Sequence, residues 1–176
     1  MKDTTANDLV QIVPATEEHL PALAELAGAI WRQHYPGIIS PAQIEYMLGK
    51  MYSLDTLRED VRCRDIQFVR LLVAGRFVGF AAYGPAAEPD VMKLEKCYLL
   101  PELHGRGYGS RLLQHCERAV RQLGARRWIL AVNKRNTKAV AAYQRNGFTV
   151  AESVVTEFGA GFVMDDYIMA KDFRLS

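Results

Sequence analysis

The stretch Leu99-Leu100-Pro101-Glu102-Leu103-His104-Gly105-Arg106-Gly107-Tyr108-Gly109-Ser110 decides how the chain is read. Residues 93–100 form a β-rich run that Pro101 stops, and glycines follow at 105, 107 and 109. Residues 107–123 then carry helical spacing up to Gly124, and 128–132 are strand-like again. Strand, turn, helix and strand make a βαβ unit, so the strands at 93–100 and 128–132 are expected to run parallel.

A helix start leaves four N–H groups unpaired and presents about half a positive charge. Glycines let the main chain approach a ligand closely, so Gly105, Gly107 and Gly109 read as a phosphate cradle. A P-loop needs Gly-Lys-Ser/Thr where this chain has Gly109-Ser110-Arg111. A dinucleotide fingerprint fits Gly105 and Gly107 but meets Ser110 at its third glycine. Asn133, Lys134 and Arg135 also stand where that fold places a ribose-binding acid.

Outward from this unit, residues 137–145 read as a helix ended by Asn146-Gly147, with last strands at 148–156 and 163–171. Upstream, 66–73 and 77–83 form a hairpin around Ala74-Gly75-Arg76, and 84–89 read as a loop. Further upstream, 10–13 is a short apolar run, after which Thr16 is expected to cap a helix reaching about residue 35. Ser40-Pro41-Ala42-Gln43 combines an N-cap, a first-turn proline and a capping-box glutamine. Residues 53–63 read as another short helix, with Leu54, Leu57 and Val61 inward.

The chain has 176 residues, 49% hydrophobic and 24% charged, which suits one soluble globular domain. Its 22 Lys and Arg against 20 Asp and Glu leave a net +2, which points away from nucleic acid or a membrane surface as general partner. Cys63, Cys97 and Cys116 show no disulfide or zinc spacing, so no metal is expected and a reducing, cytoplasmic setting is. The polar stretch 1–7 has no signal-peptide core, and no run is long enough to span a bilayer.

The order of a strand, His104-Gly105-Arg106-Gly107-Tyr108-Gly109, a helix, a strand, then Asn136-Thr137-Lys138-Ala139, Tyr143 and Gly147-Phe148 resembles the GNAT superfamily of acyl-CoA-dependent N-acetyltransferases. His104 departs from the pattern, standing where that family has Gln or Arg. The resemblance implies an α/β (α+β) fold of one domain over 1–176, with a mixed, mostly antiparallel sheet of about seven strands, two splayed parallel strands, and helices on both faces. Within it, 8–92 would supply the first strand, the acceptor-side helices and a hairpin; 93–148 the acyl-CoA core; and 149–172 a C-terminal hairpin.

By the same resemblance, acetyl-CoA is the co-substrate. Its pantetheine would lie along the backbone of Cys97, Tyr98 and Leu99, and its pyrophosphate in the turn His104, Gly105, Arg106, Gly107, Tyr108, Gly109 and Ser110. Asn136, Lys138, Ala139 and Tyr143 would complete the cofactor contacts, with Lys134 and Arg135 as further cations. Arg111, Arg118 and Arg121 read instead as a solvated helix face. Trp31 and Tyr35, together with Glu95, are the candidates for the acceptor side, with Tyr46 and the turn Gly159-Ala160-Gly161 nearby. Asp165, Asp166 and Glu157 add negative charge at that end, which suits a cationic amine, small molecule or peptide. A homodimer is compatible with this reading.

Aminolysis of a thioester needs a neutral amine and a proton for the departing thiolate. An alkylamine of pKa about 10.4 costs roughly 4.6 kcal/mol to deprotonate at pH 7, so a base is wanted. Glu95, beside the thioester's expected place, is the candidate base, acting through water. Tyr143 matches the family's proton donor, although transfer from a phenol near 10 to a thiolate near 8.5 is uphill by about 2 kcal/mol. The competing reading is an acyl-CoA-binding regulatory module without turnover.

Overall fold

The computed structural model describes residues 9–173, so the polar stretch at 1–7 lies outside the described residues. The chain runs β1 (Val10–Ala15), a 3-10 turn (Glu17–His19), α1 (Leu20–His34), α2 (Pro41–Met51), α3 (Leu54–Cys63), β2 (Gln67–Val73), β3 (Arg76–Pro85) and β4 (Val91–Leu99). A second 3-10 turn (Pro101–Leu103) leads to α4 (Tyr108–Gln122), β5 (Arg127–Asn133), α5 (Thr137–Arg145), β6 (Thr149–Gly159) and β7 (Phe162–Asp172). One seven-stranded sheet has the order β1-β2-β3-β4-β5-β7-β6. Within this sheet β4 and β5 pair in parallel and the other neighbours antiparallel, as the βαβ pattern requires.

Strand β3 shows why helices sit on both faces. Residues 78–84 are buried without alternation. Since successive side chains point to opposite faces, continuous burial means that both faces are covered. Helices α1 and α4 both pack on β3 and β4. The inward residues Leu23, Ala27, Ile30 and Trp31 of α1 and Leu112, Leu113, Cys116 and Val120 of α4 are each buried.

Three local expectations are corrected. The helix expected from Thr16 begins instead as the 3-10 turn, and α1 starts at Leu20. Pro21 sits in its first turn, where a missing N–H costs nothing, so the proline marks the true start. The loop expected at 84–89 is shorter, because Gly84 and Pro85 still pair with Lys93 and Met92. Finally, Ser40 Oγ does accept the N–H of Gln43 at 3.1 Å, but the Gln43 side chain makes no return bond. It is buried and donates to the carbonyl of Val163 at 2.7 Å, tying α2 to β7.

Candidate active site

The parallel pairing of β4 and β5 stops at Leu94↔Leu130. At that point the β3–β4 register jumps from Tyr83↔Leu94 to Ala82↔Lys96, which leaves Glu95 as the extra residue of a β-bulge. A bulge bends its strand, and here it turns β4 away from β5. Beyond Leu94, the backbone groups of β4 that face β5 therefore have no strand partner. A cavity of about 950 Å³ opens in the wedge, lined by Cys97, Tyr98 and Leu99 from β4 and by 130–133 from β5.

The glycine turn lies at the mouth of this wedge, with Gly105, Gly107, Gly109 and Ser110 in the cavity wall. Gly107 caps α4 at φ 80°, a left-handed conformation that glycine adopts without strain. The first bond of the helix runs from Arg111 N–H to Gly107 carbonyl at 3.1 Å, so the N–H groups of Tyr108, Gly109 and Ser110 come before the ladder. A Cβ built on Gly109 meets nothing within 4 Å. Free donors, a helix dipole and open space fit a pyrophosphate. Ser110 is held by Asn146, whose amide donates to its hydroxyl at 3.1 Å. Arg106 and Tyr108 lie in the turn but outside the cavity wall.

His104 ties the turn to the strand before it. Its Nε2 lies 3.0 Å from the carbonyl of Leu99. A carbonyl only accepts, so Nε2 carries the proton and the ring ties the turn to the end of β4. Of the cations expected nearby, Lys134 is paired with Asp165 at 2.5 Å. Arg135 donates to the carbonyls of Gly37 and Ile38 at 2.7 and 2.8 Å, which spends it on the loop after α1. Lys138 and Ala139 stay on the cavity wall, and Asn136 caps α5 by accepting the N–H of Ala139. On α4, Arg121 pairs with Glu117 and lies over the Phe173 ring.

Tyr143 lines the cavity from α5, its ring set edge-on against Phe148. Among the described residues its hydroxyl makes no hydrogen bond. Burial first, then the neighbouring Cys97 and Tyr35, push this phenol well above its usual range. It therefore stays protonated and available as a donor. Burial likewise pushes the Cys97 thiol up to about 12, so Cys97 is an inert wall residue rather than a nucleophile.

On the acceptor side, Trp31 and Tyr35 are almost fully buried and still line the cavity. Their rings lie tilted against each other, centroids 4.3 Å apart, and the Tyr35 hydroxyl meets that of Tyr98 at 3.2 Å. Glu95 also faces the cavity, its side chain 13% exposed, held by Lys93 at 3.0 Å and Arg64 at 3.7 Å. The strand around it is not the exposed one that its lysine neighbours suggest. Lys96 is buried against Asp60, 3.4 Å away, with Tyr52 and Phe68 rings beside it. Tyr46 donates to the carbonyl of Phe158 at 2.6 Å and fixes the β6–β7 hairpin over α2, while the turn at 159–161 itself stays outside the wall.

Sequence reasoning missed Asp60, Lys96 and His34. Asp60 follows Leu57 by three positions on the inward face of α3, so the helical period alone could have found it. Lys96 carries no such signal, because its burial depends on the bulge at Glu95. His34 sits beside His104, and burial holds its imidazole below the usual range. Among the described residues no group of His, Cys, Asp and Glu could hold a metal ion, and no helix is long and apolar enough to cross a membrane.

A wedge between two parallel strands, with an open helix start at its mouth and a protonated phenol inside, has the shape and donors that suit a long, phosphate-bearing ligand. Residues 25–148 match the acetyltransferase (GNAT) family. The chain belongs to that family, and is an acetyltransferase that uses acetyl-CoA. It is 29% identical over 160 residues to the spermidine N(1)-acetyltransferase of Thermoplasma acidophilum, covering 89% of this chain and 96% of that one. Its fold matches the PaiA N-acetyltransferase of Thermoplasma acidophilum, solved in complex with coenzyme A, with a TM-score of 0.79 and 28% identity over 93% of this chain and 99% of that one. The ribosomal-protein-S18-alanine N-acetyltransferase of Escherichia coli shares the fold at a TM-score of 0.69 and 21% identity, covering 95% of this chain and 96% of that one.

Proposed function

We propose that this chain transfers an acetyl group from acetyl-CoA to a primary amine by direct attack, with donor and acceptor bound together. The observation that carries the reading is the Tyr143 hydroxyl: it faces the wedge, makes no hydrogen bond among the described residues, and is held protonated by burial. The turn from His104 to Ser110 binds the donor's pyrophosphate through main-chain N–H groups. The backbone of β4 at Cys97 to Leu99, which has no strand partner on its β5 side, orients the pantetheine and the thioester carbonyl.

The amine enters from the side of Trp31, Tyr35 and Glu95. Glu95, oriented by Lys93 and Arg64, takes a proton from the incoming ammonium through water. As the new N–C bond forms and the C–S bond breaks, the Tyr143 hydroxyl donates its hydrogen bond to the departing sulfur. Because that phenol is pushed up, the hydrogen bond carries most of the stabilisation; proton transfer to the thiolate comes late, and the proton that the acetylated nitrogen sheds returns Tyr143 to its protonated form. Likeness to a spermidine N(1)-acetyltransferase supports a small polyamine among the acceptors.

Thiol release from acetyl-CoA, followed over a panel of polyamines, amino acids and peptides, tests the reading. Turnover with a primary amine is expected, and acetyl-CoA should raise the melting temperature where NADPH does not. Absence of turnover with every amine would overturn it.

A further inference from the structure

The cavity wall holds three buried or nearly buried carboxylates, and two of them are compensated. Asp60 meets Lys96 and Arg64, and Glu95 meets Lys93 and Arg64. The third is Asp166 on β7, 8% exposed and also in the wall. Its Oδ1 is buried with no hydrogen-bond partner, and among the described residues the side chain makes no ion pair. Lys134, next to the strand partner Asn133, is turned to Asp165 instead.

The position of Asp166 is fixed by register. It pairs with Asn133, three residues beyond the last β4–β5 pair at Leu130, where the wedge is already open by about 10 Å of strand length. Met164, two residues earlier on the same face, is covered by Gln43 from α2. Tyr35, which caps the end of α1, lies close enough for the Asp166 charge to act on its phenol. Asp166 thus faces the cavity on the side where Tyr35 and β7 bound it.

A carboxylate removed from water without a partner is costly, and side chains of this kind are normally paired. A cation arriving from outside the chain would remove that cost. We infer that Asp166 is the carboxylate that receives the ammonium of the acceptor and so selects cationic amines for this site. The inference rests on the acetyltransfer reading above only for the word acceptor, since it predicts binding on its own.

Spermidine binding to the full chain, measured by calorimetry with coenzyme A present, tests it. Asp166→Asn, which keeps the shape and removes the charge, should weaken spermidine by about tenfold or more, with coenzyme A affinity unchanged. Asp166→Glu should restore part of the loss. Equal spermidine affinity in Asp166→Asn, or a parallel loss of coenzyme A affinity, would overturn the inference. The wild-type chain gives an arm that needs no variant: it should bind 4-aminobutanol, which is cationic, at least about tenfold more tightly than the neutral isostere 1,4-butanediol, and equal affinities would also overturn it. A chain that binds spermidine through Asp166 but acetylates no amine sinks the acetyltransfer reading and leaves this one standing. Acetylation of spermidine with an unchanged KM in Asp166→Asn does the reverse.

Discussion

The hydroxyls of Tyr35 and Tyr98 lie 3.2 Å apart, joining the end of α1 to the splayed part of β4. Burial pushes the Tyr35 phenol up to about 12 and the Tyr98 phenol well above its usual range, so both stay protonated and one must donate to the other. Each is therefore the other's partner in a wall shared by the donor and acceptor halves of the cavity. Tyr35→Phe and Tyr98→Phe should each cost about 1 kcal/mol, and the double variant less than their sum, because the bond is lost once. Urea denaturation of the four proteins reads this directly. Strict additivity would mean the two hydroxyls do not interact.

Glycines in the phosphate turn separate stability from binding. Gly107 sits at φ 80°, so Gly107→Ala should destabilise the fold by about 1 kcal/mol. Gly109 has ordinary helical geometry and open space before it, so Gly109→Ala should leave stability equal or raise it by about 0.5–1 kcal/mol. The same methyl group would stand where the pyrophosphate approaches, and should raise the KM for acetyl-CoA severalfold. Thermal melts with acetyl-CoA titrations would show the split. A Gly109→Ala enzyme with normal acetyl-CoA KM would move the phosphate away from this turn.

Tyr143 and Glu95 are expected to differ in their pH behaviour. Tyr143→Phe should lower kcat by about 10- to 100-fold, with acetyl-CoA affinity little changed. Its phenol is held well above 10, so the wild type should keep this donor throughout the alkaline range up to about pH 10. Glu95→Gln should also lower kcat near pH 7, but the deficit should shrink as pH approaches the amine's own pKa of about 10.4, where the acceptor sheds its proton unaided. Profiles of kcat against pH for the three proteins check both claims. A Glu95→Gln deficit that is constant with pH would remove Glu95 as the base.

How much of this was legible in the sequence depends on the range of the forces involved. The βαβ unit and the glycine turn follow from local pattern, and the structure has them at β4, α4 and β5. The splay follows from a bulge at Glu95, which is a property of pairing between strands and leaves no mark in the alternation of residues 93–100. Lys96 reads as a surface lysine for that reason, yet it is buried against Asp60 of α3. Lys134 and Arg135 read as phosphate contacts because their charge is visible, while the Asp165 carboxylate and the 37–38 carbonyls that engage them are remote in sequence. Asp165 and Asp166 look alike in the sequence. Strand parity alone sends one to solvent and the other into the cavity.

Asp166 also predicts a pH-dependent stability. Burial first, and the neighbouring Asp165 second, push its carboxyl from 3.8 up to about 6, against the opposing pull of Lys134 and Lys93, with the Tyr35 phenol also in range. The folded chain then holds this proton more tightly than the unfolded chain. Its stability is highest below about pH 3.8 as far as this group is concerned, falls as pH rises from there to about 6, and stays reduced above that. Asp166→Asn has no such titration, so its melting temperature should exceed that of the wild type near neutrality, and the gap should close as pH falls toward about 4. Melts of both proteins across this range, without ligand, would show it; a gap that does not vary with pH would mean that the Asp166 charge is not strained. Spermidine at neutral pH should narrow the same gap by stabilising the wild type selectively, because the bound ammonium supplies the partner that the folded chain lacks.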